Sequence, residues 1–268
     1  MLSDAWFLLP AKKRTDLRAL FQFLEELERE LDRNDRVGGG RTIQETMPAV
    51  LGMIRDVTGP DDTGAKLTRE TAKVRSVFRR NGFTSAPFVD FYDGLQSMRV
   101  RQSFRDSTQF DQHVRQVVLG PGSLVRAVLT GEPVHKPGPA AMTLARAWAT
   151  VTWMTRLPQD LNRGRLYIPL SRVGQIDLGL GRLDDPAVRD ALLTIAAGMV
   201  AEQEPVLAGA SEAFGGLNDL WSRRWATFQV HTMRDRARRF VKNPRLVYTD
   251  PEKLDAGWRD RIRLLATR

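Results

Sequence analysis

The chain has 268 residues, 42% of them hydrophobic and 27% charged, an ordinary balance for a globular protein long enough to bury an enzyme-sized core. It contains no cysteine, which excludes disulfides, thiolate metal sites and a cysteine nucleophile, and no uninterrupted apolar run nears the roughly 18–20 residues of a membrane-spanning helix. Forty-one Lys and Arg against 32 Asp and Glu leave a net charge of +9, suited to an anionic partner or to a solvated, arginine-rich surface. His113, His135 and His231 are too far apart in sequence to form the i, i+4 pair of a helical zinc site. Met1-Leu2-Ser3-Asp4 has no basic segment followed by an apolar one, so a cytoplasmic location is the expectation.

In chain order, Leu17, Leu20, Phe21, Leu24, Leu27 and Leu31 recur in steps that predict one buried helix face, ended by Gly38-Gly39-Gly40. Thr42 is the expected cap of a helix through about Val57, and Thr58 to Gly64 reads as a turn. Further helices are expected over about Ala65 to Arg80, closed by Asn81-Gly82, and over about Ala86 to Phe104. Ser107 or Thr108 should cap the next, through about Thr130 with an interruption at Gly120-Pro121-Gly122. A loop from Gly131 to Gly138 precedes an apolar helix from about Ala140 to Thr155 or beyond. After a loop around Gly164 to Gly181, Asp185-Pro186 opens a helix to about Gly209. Another follows from about Leu217 to Arg239, then a short one over Pro251 to Leu265. No sustained period-two run occurs, so the expected class is all-α with eight or more helices.

Five strings, in order along the chain, carry a resemblance. They are LPAKKRTDLRALFQF (Leu9–Phe23), PFVDFYDGLQSMRVRQSF (Pro87–Phe104), FDQHVRQVVLGPGSLVRAVLTG (Phe110–Gly131), DLNRGRLYIP (Asp160–Pro169) and RFVKNPRLVYTDPEKL (Arg239–Leu254). Together they resemble the squalene/phytoene synthase family, most specifically through the Asp-x-x-x-Gly-Arg-x-Tyr-x-Pro signature in the fourth. The resemblance implies one domain over 1–268, an all-α isoprenoid synthase-type bundle around a central cavity. It also implies two aspartate-rich motifs that hold Mg²⁺ against a prenyl diphosphate, because an allylic diphosphate ionises only when its leaving group is neutralised.

Carried over residue by residue, the first motif falls on Glu28 and Asp32, which keep the i, i+4 spacing that brings two carboxylates to one helix face. They are the candidate metal ligands. Glu25 stands where the family has an arginine. The second motif falls on Thr152, Arg156, Gln159 and Asp160, which keeps one anionic oxygen ligand, Asp160, and makes Mg²⁺ doubtful. Pro158 should kink or end that helix. The implied reacting site is thus Glu28, Asp32, Asp160 and Arg156, with Arg14, Arg163, Arg165 and Tyr167 binding substrate.

Blander readings stand beside these. Glu28 and Asp32 suit a solvated face paired with Arg29, Arg33 or Arg36, and Arg156 suits either a phosphate contact or an ion pair with Asp160 or Glu28. Arg163 and Arg165 could bind loop carbonyls, while Trp148 and Trp153 fit a core better than a cavity wall. The arginine-dense run Arg223, Arg224, Arg234, Arg236, Arg238 and Arg239 fits a solvated face or peripheral contact with a membrane, and no motif for nucleic acid accompanies it. The functional expectation is prenyl transfer or a related condensation, with altered or metal-free chemistry. The alternative is a non-catalytic lipid-binding or assembly protein.

Overall fold

Side-chain caps at Thr68, Asp185 and Asp219 set where three of the helices begin. The computed structural model describes residues 6–32, 43–59, 68–134, 138–176, 178, 185–213, 217 and 219–255. The chain divides into two compact units, an N-terminal one of Leu9–Val100 with Arg115–Gly138, and a C-terminal one of Met1–Leu8, Arg101–Val114 and Pro139–Arg268.

In the N-terminal unit, α1 (Ala11–Asp32) packs on α2 (Ile43–Thr58), α3 (Arg69–Arg80) and α6 (Gly120–Thr130). Its buried face includes Leu17, Leu20, Leu24 and Leu27 of the expected stripe together with Phe23, while Phe21 is half-buried and the Leu31 side chain lies outside the described residues. The expected cap Thr42 and residues 65–67 lie outside the described residues. α3 starts later than the apolar pattern suggests, because Thr68 caps it by accepting from the Thr71 N–H at 3.2 Å. Asn81 closes it, and Gly82 follows with φ 65°, a conformation that favours glycine. Phe78 stacks on Phe88 with centroids 4.8 Å apart, and Phe23 meets both edge-on at 5.3 and 5.4 Å. Asp16, 3% exposed, is paired with Arg80 and accepts from Asn81 Nδ2 at 3.1 Å, so the buried charge is compensated.

α4 (Ala86–Arg101) ends before Phe104, because Gln102 takes φ 59° and Ser103 bridges to Leu166. Among the described residues this isolated bridge is the sole β pairing. The expected break at Gly120-Pro121-Gly122 lies elsewhere: α5 (Ser107–Val114) runs into a π-helical turn, Arg115–Leu119, and then into α6. Pro121 sits in the first turn of α6, and the wider preceding turn relieves the clash its ring would cause. Gly94 of α4 passes so close to this turn that a Cβ would lie 2.6 Å from Val117 Cγ1.

In the C-terminal unit, α7 (Pro139–Met154) packs on α5, α8 (Leu157–Leu161), α10 (Pro186–Ala201), α11 (Glu204–Ala213) and α12 (Leu220–Lys242). Pro158 acts as expected: α7 has ended at Met154, and Pro158 occupies the first turn of α8, where no N–H is needed. The loop after Gly164 contains a short helix, α9 (Leu170–Val173), which its four residues are too few to announce. Asp185 caps α10 by accepting from Ala187 N–H at 2.8 Å. The single helix expected to reach Gly209 is two, broken at Glu202–Gln203 just ahead of Pro205. By length and composition alone, Pro186–Ala210 would pass for a membrane span, but α10 and α11 both pack on α7 and α12 as core helices. α12 is capped by Asp219, and α13 (Leu246–Thr249) with a 3-10 turn over Pro251–Leu254 follows. The rest of the final helix expected to Leu265 lies outside the described residues.

Candidate functional site

The most closely built candidate segment runs from Asp160 to Leu170. The Asp160 carbonyl accepts from the backbone N–H groups of Arg163 at 3.0 Å and Arg165 at 2.8 Å, folding the chain back at Gly164, whose φ is 68°. The returning strand of this turn is tied to another segment of the same unit. Leu166 N–H donates to Gln102 O at 2.7 Å, Leu170 N–H to Phe104 O at 2.8 Å, and Ser171 N–H to Arg105 O at 3.0 Å. Fixed in this way, the turn presents Arg163 exposed and Arg165 half-buried, two forked donors on one rigid loop.

Asp160 itself is 6% exposed, in α8. Arg156 sits in the turn between α7 and α8, where its carbonyl accepts from Asp160 N–H at 3.1 Å. Its side chain is exposed, and within its unit it forms no ion pair with Asp160 among the described residues. Thr152 and Gln159, the other two positions of this motif, offer neutral oxygens. A guanidinium and one carboxylate do not make the paired anionic donor set that Mg²⁺ requires, so these residues do not fit the ion. Nor do the described residues contain any group of three His, Asp or Glu side chains placed to share a metal.

Tyr167 is held by aromatic packing. Its ring stacks on Trp153 at 4.6 Å and lies 5.9 Å from Phe104 and 5.8 Å from His113. His113, 2% exposed, is 5.1 Å from Phe104 and 5.2 Å from Trp153, and Phe110 meets Trp153 edge-on at 5.4 Å. Trp153 is half-buried in this cluster, and Trp148 is half-buried on the same helix. Sequence reasoning missed His113 as a neighbour of Tyr167, because the two are joined only through α5, α7 and the loop.

In the N-terminal unit, Arg14 is half-buried near the start of α1, and Glu28 is exposed near its end. Asp32 closes the helix, and its side chain lies outside the described residues. The last turns of α1 hold Glu28, Glu30 and Asp32 with a single basic residue, Arg29. Carboxylates at a helix C-terminus face the negative end of its dipole, so this end of α1 is a place that favours a cationic neighbour. One acid that the sequence reading passed over lies on α4. Partial burial, followed by the charge of Asp90, pushes the Asp93 carboxyl above its usual range even though it reaches solvent.

This helical arrangement is that of the isoprenoid synthases. The chain is similar to a solved structure described as a dehydrosqualene synthase in complex with ligand, with a TM-score of 0.75 and 17% identity, over 99% of this chain and 89% of that one. No curated protein matches it in sequence. The squalene/phytoene synthase family model matches residues 5–265, and the chain belongs to that family.

Proposed function

We propose that the protein is a squalene/phytoene synthase-like enzyme acting on a prenyl diphosphate or a related anionic substrate with an apolar tail. The observation that carries this reading is the pinned turn from Asp160 to Leu170, which holds Arg163 and Arg165 in place without help from a ligand. Preorganised guanidinium groups can neutralise a diphosphate as its allylic C–O bond breaks and the electron pair leaves with oxygen. Arg156, exposed one helical turn before Asp160, would add a third positive charge on the same stretch of chain. In this reading the second acidic motif is degenerate and arginine takes over part of the charge neutralisation that carboxylate-held metal provides in the family. Glu28 and Asp32 keep the acidic pair of the first motif, which in this reading serves a single cation or proton transfer. We further infer that both compact units belong to one synthase-like domain.

A second reading has one residue in its favour. Arg156, in place of a carboxylate, would repel a metal cluster, as expected of a family member that keeps the helical shell for lipid binding or assembly.

Thermal stabilisation by farnesyl diphosphate and by farnesol, each with Mg²⁺ and with a chelator, separates these readings when combined with an assay of released diphosphate. The expected result is stabilisation by the diphosphate and not by the alcohol, with release on prolonged incubation. Binding should weaken about tenfold or more in Arg163→Ala with Arg165→Ala, since each guanidinium makes charge-assisted contacts. Binding without release would select the second reading. No stabilisation by farnesyl or geranylgeranyl diphosphate under either condition would sink both the substrate class and the enzyme.

A further inference from the structure

The first turn of α12 places two large apolar side chains in solvent, Leu220 at 49% and Trp221 at 47% exposure. Arg223 and Arg224 follow at once, both exposed, and the Arg224 guanidinium lies 5.3 Å from the centre of the Trp221 ring. Ser222, Trp225 and Ala226 are buried on the opposite side, and the Asp219 carboxylate accepts from Ser222 N–H at 2.7 Å. The exposed face is therefore presented by an anchored element.

The arginines further along α12 are in a different situation. Arg234 and Arg238 both donate to Glu204 Oε1, at 2.9 and 2.7 Å, Arg239 pairs with Asp235 at 2.8 Å, and Arg236 pairs with Asp255. Among the described residues, neither Arg223 nor Arg224 forms an ion pair with an acid. Uncompensated positive charge on this helix thus concentrates beside its exposed apolar residues.

We propose that Leu220, Trp221, Arg223 and Arg224 form a docking surface for an anionic phospholipid bilayer. Tryptophan and leucine enter the boundary between headgroups and acyl chains, while flanking guanidinium groups meet lipid phosphates. An arginine stacked on tryptophan keeps its charge at headgroup level as the ring goes in. A second copy of the chain suits the surface less well, because a two-fold pairing of this patch would bring the same arginines together.

Co-sedimentation of the full chain with vesicles of phosphatidylcholine, alone or with about one-third phosphatidylglycerol, tests the surface at the charge density on which such attraction depends. The wild type should bind the anionic vesicles, and bind the neutral ones far less. Leu220→Ser with Trp221→Ser, and separately Arg223→Glu with Arg224→Glu, should each weaken binding about tenfold or more. The same charge change placed elsewhere, Arg105→Glu with Arg126→Glu, should leave it within about twofold, since attraction falls off within a Debye length. All these side chains are exposed, so unchanged thermal midpoints would show that the variants fold. Absence of wild-type binding, or an equal loss in the control, overturns the proposal. So does a concentration-dependent dimer that Leu220→Ser with Trp221→Ser abolishes while vesicle binding stays at background. The vesicles contain no isoprenoid or diphosphate, so the outcome is independent of the substrate reading above.

Discussion

Each unit of the molecule has its own aromatic cluster, and the two are built on different principles. In the N-terminal unit, Phe23, Phe78, Phe83 and Phe88 are all buried, stacked and edge-packed without a polar atom among them. In the C-terminal unit, Phe104 and Phe110 share their cluster with His113, Trp153 and Tyr167, the last of which belongs to the family signature. A phenylalanine cluster can do nothing but exclude water. A cluster that includes imidazole, indole and phenol, next to a loop of arginines, carries hydrogen-bonding capacity that burial alone would select against. In the C-terminal unit Glu202, Glu204, Asp190, Asp235 and Asp255 each hold arginine, and in the N-terminal unit Asp16 pairs with Arg80 and Glu132 with Arg126. The aromatic core of one unit is purely apolar, and that of the other includes polar rings.

The largest expected effect comes from attacking the purely apolar cluster. Phe78→Ala removes a fully buried ring that touches Phe23, Phe83 and Phe88, and should cost about 3–5 kcal/mol in urea denaturation. Trp148, Trp153, Trp221 and Trp225 all fall in the C-terminal unit, so their emission reports on that unit. In Phe78→Ala the far-UV signal should therefore be lost, in part, ahead of the tryptophan signal. Coincident transitions would mean that the two units unfold as one, and would break the comparison at its base.

A smaller effect is expected where the N-terminal unit is packed too closely for any side chain. Gly94→Ala would place a Cβ 2.6 Å from Val117 Cγ1 and 2.8 Å from Gln116 Cβ, facing the π-helical turn. Overpacking of this kind should cost about 1–3 kcal/mol, read as a lower urea midpoint at unchanged slope. An unchanged midpoint would mean that the turn between α5 and α6 yields readily.

These tests bear on what the sequence makes visible. The face of α1 was legible because Leu17, Leu20, Leu24 and Leu27 repeat with the helical period, a local property. The start of α10 was legible because Asp185 and Pro186 are a cap and a first-turn residue on sight. Pro205 gave warning of the break before α11, yet the apolar run around it suggested one helix. The π-helical turn left no mark, since Arg115-Gln116-Val117-Val118-Leu119 looks like any helical stretch. At the candidate site, the residues of the pinned turn were legible through the family resemblance, but its backbone ties to residues 102–105 were not. Neither was the meeting of His113 with Tyr167, which depends on side chains 54 positions apart in the numbering. Long-range convergence is set by packing, and packing has no period to read.

The smallest effect probes a charged contact of the C-terminal unit. Burial pushes the Glu204 carboxyl upward, but hydrogen bonds from Arg234 and Arg238, with their charges, outweigh it and hold the group below its ordinary value of 4.5. A carboxyl whose folded pKa is depressed adds stability in full above its unfolded pKa, and loses it as pH falls through the folded one. Glu204→Gln keeps the shape and deletes the charge, so it should lower stability at pH 7 by about 1 kcal/mol, as partly exposed ion pairs do. As the pH falls through 4.5 and below, the difference between wild type and variant should shrink toward nothing, and tryptophan emission is the probe that sees it. A difference that stayed constant down to pH 3 would place the contribution of Glu204 in packing instead of charge.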